Sequence, residues 1–315
     1  MSKNKMMQDK ILIIGAGAIG SFYGAILSKA GADVSVVCRS DYQIVKQQGY
    51  SIKSDELGSW SFIPSQVIKN AAEYQGAADY IILCTKITSD SHRIKLIEDA
   101  ISPNTCIVFI QNGVEIEQEL IDAFPNNEII SGLAFICCNR LEPAVTHHLA
   151  YGKLTLGSVN KIDTPLNRAQ HLADLISSTG IETLVTDEII AGRWLKCLWN
   201  AAFNPLSVLS DGLSTEKILS SQEALIRTIM QEVVDIAQAC GYCLDHSSID
   251  TNIKHTYAMP PYKTSMLLDY ESNKPMETEV ILGNTIRAAK REHIKCPTLD
   301  SLYALMKLKE LKAQQ

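Results

Sequence analysis

Ile11–Gly20 reads ILIIGAGAIG, four consecutive apolar residues followed by a turn with the spacing G-x-G-x-x-G. A short apolar run closed by glycine fits a strand buried on both faces. A helical pattern opens directly after Gly15, so the stretch reads as strand, turn and helix. In that setting each glycine has its own duty. Gly15 permits the tight turn, Gly17 lets a pyrophosphate approach the backbone, and Gly20 lets helix and strand pack closely. Gly15, Ala16, Gly17, Ala18, Ile19 and Gly20 therefore form the expected dinucleotide cradle, with the amides of the helix start facing the phosphates.

Outward from this stretch the same grammar repeats. Val34–Val37 (VSVV), Tyr80–Cys84 (YIILC) and Cys106–Ile110 (CIVFI) are further apolar runs at helix-length spacing. They predict parallel strands joined by crossover helices. Glu128–Cys137, Ala144–His148, Leu154–Leu156 and Ile181–Val185 predict a more strand-rich end of the sheet. After Asp187 no strand is read, and helical periodicity dominates in Thr215–Cys240, Met276–Glu292 and Thr298–Leu311. The expectation is an α/β domain with a mostly parallel sheet over residues 1–186, followed by an all-helical domain over 187–315.

Ligands of open parallel sheets bind at the carboxyl ends of the strands. The second strand ends Cys38-Arg39-Ser40, without the acid that would take a ribose 2′-hydroxyl. Arg39 suits a 2′-phosphate, so NADPH is expected over NADH. Asp41 stands close by and leaves a ribose partner open. Lys86 follows the Tyr80–Cys84 strand, and Asn112-Gly113 follows the Cys106–Ile110 strand. Either alone reads as loop chemistry; together at strand tips they point to the cofactor crevice.

Arg193–Pro205 (RWLKCLWNAAFNP) reads as a helix that is apolar almost all round, hence buried. Lys196, Asn200 and Asn204 recur every four residues and so share one face. Unpaired buried polar groups cost several kcal/mol each, roughly. A polar stripe on such a helix predicts a wet or ligand-filled cavity, with Lys196 as a proton donor. Pro205 is expected to end or kink the helix just past Asn204. Two further residues stand out. Ser265 suits a helix cap. Glu277, two residues after Pro275, is expected in the first turn of a helix, where carboxylates are favoured in any case.

The 315 residues allow two domains, and 46% apolar composition supports a substantial core. A formal charge of −6, with 35 acidic against 29 basic residues, argues against a nucleic-acid surface. No apolar run approaches a membrane span. Met1–Lys10 lacks the apolar segment of a secretory signal and reads as a short disordered lead-in. An odd number of cysteines, nine, fits reduced thiols in a cytoplasmic protein. Cys240-Gly-Tyr-Cys243 lacks the strand context of a redox motif, and His147-His148 lacks the partners of a metal site. No metal is expected.

GAGAIG, Lys86 after a strand, Gln111-Asn-Gly113, the K-x-x-x-N-x-x-x-N-P helix at 196–205 and the Ser265-Met…Asp269…Glu277 segment together resemble the ketopantoate reductases. The resemblance runs from about Ile11 to Leu311. It implies a Rossmann-type domain followed by a helical domain. It also implies reduction of 2-dehydropantoate to (R)-pantoate by NADPH, in pantothenate and coenzyme A biosynthesis. By the same resemblance Lys196 donates the proton. Asn200, Asn204 and Ser265 bind substrate, and Asn112 touches both nicotinamide and substrate. Glu277 lies beside the cofactor and supports the active-site geometry. Lys86 and Arg39 are cofactor-side residues. Tyr262 and Leu268 depart from common family residues on the substrate side. That keeps a different branched 2-keto acid in view as substrate. A non-catalytic NADPH-binding regulator is the alternative from another class, disfavoured because a regulator has no need of a proton donor. The partners expected are a small-molecule 2-keto acid and no membrane; a homodimer is the one assembly considered.

Overall fold

The computed structural model describes residues 8–88, 92–160, 162, 167–259 and 263–313. Met1–Met7 and Tyr262 lie outside the described residues. The chain divides into two compact units. The first is Met1–Thr85, His92–Gln111 and Glu117–Ile189; the second is Lys86–Ser91, Asn112–Ile116 and Ile190–Gln315.

The first unit carries ten described strands: β1 (Lys10–Ile14), β2 (Asp33–Val37), β3 (Tyr50–Ser54), β4 (Gly58–Phe62), β5 (Val67–Ile68), β6 (Tyr80–Leu83), β7 (Cys106–Phe109), β8 (Ile129–Glu142), β9 (Val145–Ser158) and β10 (Thr183–Val185). They form one sheet in the order β4-β3-β9-β8-β7-β6-β1-β2-β5, with β10 beside β9. From β8 to β5 every pair is parallel. That run is the doubly wound order, with β1 and β6 flanking the switch point. Its helices are α1 (Ala18–Lys29), α2 (Tyr42–Gln48), α3 (Arg93–Ile97), α4 (Gln118–Ala123) and α5 (Arg168–Ser177). Ile11–Ile14, Tyr80–Leu83 and Cys106–Phe109 are buried at every position, which is why those strands read as unbroken apolar runs.

Three strands escape the sequence reading. β3 (YSIKS) and β4 (GSWSF) mix polar with apolar residues, and β5 has two residues. Ala144–His148 and Leu154–Leu156 belong to one strand, β9, rather than two. Tyr151 and Gly152 take positive φ in its middle, and the β8–β9 register shifts between Phe135 and Ile136. This bulge bends the outer hairpin over α1. Ser21 Oγ lies 2.6 Å from Thr146 Oγ1, Tyr23 Oη donates to Gly152 O at 3.0 Å, and the Phe22 and His148 rings pack tilted by 36° with centroids 4.6 Å apart. Sheet on one side and hairpin on the other explain why Gly20–Leu27 are all buried.

The second unit contains α6 (Ile189–Leu209), α7 (Thr215–Ala239), α8 (Ser247–Ala258), α9 (Ser265–Glu271), a π-helical turn at Glu279–Gly283, α10 (Asn284–Arg291) and α11 (Pro297–Ala313). No strand is present there among the described residues. The polar sequence of α8 and the seven-residue length of α9 hid them from periodicity. Trp194, Leu198, Phe203, Ile226, Met230 and Val233 make a fully buried core. The Glu232 carboxylate on α7 accepts from Thr298 N at 3.0 Å and Leu299 N at 2.9 Å, capping the start of α11. Pro205 does not end α6, which continues to Leu209. A mid-helix proline removes the bond to the carbonyl four residues back, at Ala201, and costs about 3 kcal/mol. Burial of Ala202, Phe203 and Val208 around it supplies the opposing free energy. No described helix is long and apolar enough to cross a membrane.

Candidate active site

In the first unit, the turn after β1 presents bare backbone. Gly15 sits at φ +89°, and a Cβ there would lie 2.6 Å from Thr85 Cγ2. A Cβ at Gly20 would overlap the Gly15 carbonyl oxygen, whereas Gly17 faces open space. Gly17 caps α1 without a side-chain hydrogen bond, and the first turn carries no acid. Ala16, Ala18 and Ile19 are only partly buried. These residues fit a dinucleotide pyrophosphate: small side chains, uncapped helix-start amides and no competing carboxylate. At the end of β2, Arg39 and Ser40 are exposed. Asp41 is not available to a ribose. It is 3% exposed, and its carboxylate accepts from Ala144 N at 2.9 Å, Ser40 Oγ at 2.9 Å and the Arg140 guanidinium.

In the second unit, α6 holds Lys196, Asn200 and Asn204 on one face, as their spacing requires. Asn204 is 1% exposed, and neither its Nδ2 nor its Oδ1 has a hydrogen-bond partner among the described residues. A buried amide without partners is a group built for a ligand or water. Desolvation lowers the Lys196 amine from its usual 10.5 to about 8. The Arg193 guanidinium adds to that shift and the Glu277 carboxylate opposes it. Arg193, which the sequence reading passed over, is 1% exposed and donates from Nε to Gly113 O at 3.1 Å. Its position three residues before Lys196 was the available signal.

Glu277 is 6% exposed and lies just before the helix rather than inside its first turn. Lys274–Glu277 carry no regular structure, and helical structure begins at Thr278. Glu277 Oε2 accepts from Asn112 Nδ2 at 3.0 Å, and Oε1 accepts from Ile87 N at 3.3 Å. Beside it the π turn packs on the Asn112–Ile116 segment. Val114 N donates to Val280 O at 3.1 Å, and Asn284 Nδ2 donates to Val114 O at 2.7 Å. π turns recur at functional sites because they displace one residue from the helical face.

Ser265 is the first residue of α9 and is partly buried; the cap is Thr264, whose Oγ1 accepts from Leu267 N at 3.2 Å. Thr264 Oγ1 also lies 2.6 Å from Ser207 Oγ, which donates to Asn204 O at 2.8 Å. This relay ties the start of α9 to α6. Leu268, one of the two departures, lies partly buried on α9. Lys86 is ion-paired with Asp269, whose carboxyl is raised by burial against the opposing pull of Lys86.

The other candidates have structural partners. His148 is fully buried between Ser54 Oγ at 2.8 Å and Tyr151 O at 3.1 Å, while His147 pairs with Asp55. All nine cysteines are free thiols, with Cys240 at the end of α7. No cluster of three His, Cys, Asp or Glu side chains that could hold a metal ion occurs among the described residues.

The family model described as Ketopantoate reductase PanE/ApbA matches residues 11–161, and its C-terminal companion matches residues 188–310. The 2-dehydropantoate 2-reductase of Nostoc sp. is 31% identical over 306 residues, covering 96% of this chain and 95% of that one. The crystal structure of 2-dehydropantoate 2-reductase from Methylococcus capsulatus superposes with a TM-score of 0.91 at 50% identity, covering 97% of this chain and 98% of that one. D-mandelate dehydrogenase in ternary complex with NADH and anilino(oxo)acetate shares the fold, with a TM-score of 0.86 at 23% identity over 97% of this chain and 100% of that one.

Proposed function

The chain belongs to the ketopantoate reductase family, and we propose that it reduces 2-dehydropantoate to (R)-pantoate with NADPH, in pantothenate and coenzyme A biosynthesis. The observation that carries this reading is the α6 stripe: a desolvated Lys196 amine with its pKa lowered to about 8 and, two turns further along the same face, an Asn204 amide buried without hydrogen-bond partners among the described residues. When bound, the reduced nicotinamide supplies hydride to the C2 carbonyl carbon. Negative charge then develops on the C2 oxygen. Lys196 holds that oxygen by a hydrogen bond and passes it the proton. Asn200, Asn204 and Ser265 hold the keto acid. Asn112, fixed by Glu277, orients nicotinamide and substrate together. Gly15–Gly20, Arg39 and Lys86 hold the rest of the cofactor.

A fold shared with an NADH-bound dehydrogenase leaves nucleotide choice to the β2 tip, where Arg39 and an occupied Asp41 favour a 2′-phosphate. The test is the rate of NADPH oxidation with 2-dehydropantoate, with other branched 2-keto acids, and again with NADH. Preferential turnover of 2-dehydropantoate with NADPH is expected. Faster turnover of another keto acid reassigns the substrate. NADPH binding without oxidation by any keto acid replaces the enzyme with a nucleotide-binding regulator.

A further inference from the structure

Asp41, four residues past the end of β2, is the first acid after that strand and so the candidate for a ribose 2′-hydroxyl. Its carboxylate is turned into the fold instead. Oδ1 accepts from Arg140 Nη2 at 2.5 Å and Ser40 Oγ at 2.9 Å, and Oδ2 accepts from Ala144 N at 2.9 Å. Arg140 comes from the end of β8 and Ala144 from the turn into β9. The hairpin tip is thereby fastened to the end of β2, about a hundred residues earlier in the chain.

Arg140 is more than a staple. Its side chain is 31% exposed, and Nη1 lies 3.4 Å from Ser40 Oγ while Nε reaches Glu142 O at 3.4 Å. With Nη2 on Asp41, two of the five guanidinium N–H groups remain unassigned. Arg39, next to Ser40, is exposed and makes no ion pair among the described residues. Lys69 after β5 and Lys46 on α2 lie over the Tyr42 ring at 4.9 Å and 5.3 Å, adding positive potential. The acid beside them, Glu73, is engaged by Lys69 N and Asn70 Nδ2.

We propose that Arg140 is a determinant of nucleotide choice: it neutralises Asp41 and offers, beside Arg39 and Ser40, a second guanidinium to an adenosine 2′-phosphate. This rests on the assignment of NADPH above. Removing Arg140 acts twice in one direction. A donor to the phosphate is lost, and the Asp41 charge is uncovered, which repels phosphate and accepts a ribose hydroxyl.

The experiment is calorimetric titration of the full chain, as wild type, Arg140→Gln and Arg140→Lys, with NADPH, NADH, 2′,5′-ADP and ADP. Arg140→Gln is expected to weaken NADPH and 2′,5′-ADP by about tenfold or more, as for loss of a charged hydrogen bond. NADH and ADP should bind as before or more tightly. Arg140→Lys should fall between. A wild type with no preference for NADPH overturns the cofactor assignment and this inference with it. A wild type that prefers NADPH, with the same preference in Arg140→Gln, overturns this inference alone. Equal weakening of all four ligands also overturns it and leaves Arg140 a structural staple. Should Arg140→Gln fail to fold, Arg140→Lys decides: 2′,5′-ADP weakened at constant ADP affinity supports the inference, and an unchanged ratio defeats it.

Discussion

Glu277 Oε2 accepts a hydrogen bond from Asn112 Nδ2 at 3.0 Å while its Oε1 holds Ile87 N at 3.3 Å. One buried carboxylate thus fixes two loop segments that carry Lys86 and Asn112, and its charge also faces the Lys196 amine. Glu277→Ala removes all three interactions. Each donor left unpaired costs about 1–3 kcal/mol, and a displaced Asn112 costs about a hundredfold in turnover. Glu277→Gln keeps an acceptor, so its melting temperature should fall less than that of Glu277→Ala. Thermal denaturation and kcat for both variants check this.

Lys196 must be protonated to act as the acid. With its pKa lowered to about 8, kcat/KM should fall on the basic side with an apparent pKa in that range. Lys196→Ala should lose about 10²–10⁴-fold in kcat, and the basic limb with it. A pH–rate profile with the limb intact and near-normal turnover in the variant would refute the role.

The same depressed pKa predicts a stability effect. In the window between about 8 and the usual 10.5, the unfolded chain binds more protons at this amine than the folded one. The folded state is therefore penalised below the window, and stability rises with pH through it. Lys196→Met should lose about 10²–10⁴-fold in kcat yet raise stability at pH 7 by roughly 1–3 kcal/mol. Denaturant unfolding at pH 7 and pH 10 measures both the gain and its disappearance.

Asn204 carries two buried polar atoms without hydrogen-bond partners among the described residues. Asn204→Leu, close in volume, should stabilise the ligand-free protein by about 1–3 kcal/mol and raise KM for the keto acid at least tenfold, by loss of about one hydrogen bond to a charged group. A variant that is more stable with an unchanged KM would remove Asn204 from the substrate site.

Gly113 sits at φ +102°, and a Cβ there would lie 2.6 Å from Val280 Cβ. Gly113→Ala combines backbone strain with overlap on the π turn, for about 1–3 kcal/mol of destabilisation. Because Asn112 is adjacent, kcat should fall as well. Gly17→Ala faces open space; it should leave stability nearly unchanged and weaken nucleotide binding, which separates the two glycines by one pair of measurements.

Residue patterns already carried the strand–turn–helix at Ile11–Gly20 and the face shared by Lys196, Asn200 and Asn204. Both follow from backbone geometry acting over ten or so residues: continuous burial of a parallel strand, and 3.6 residues per turn. Such patterns survive in the chain because each residue's environment is set by its near neighbours. Contacts across a hundred residues leave no such trace. The pairing of β3 with β9, the burial of Asp41 beneath Arg140, the grip of Glu277 on Asn112 and the passage of α6 through Pro205 each depend on what a distant segment places alongside. Asp41 looked like an open carboxylate in sequence and is a closed one in the fold, because the hairpin tip brings a guanidinium and a backbone amide to it.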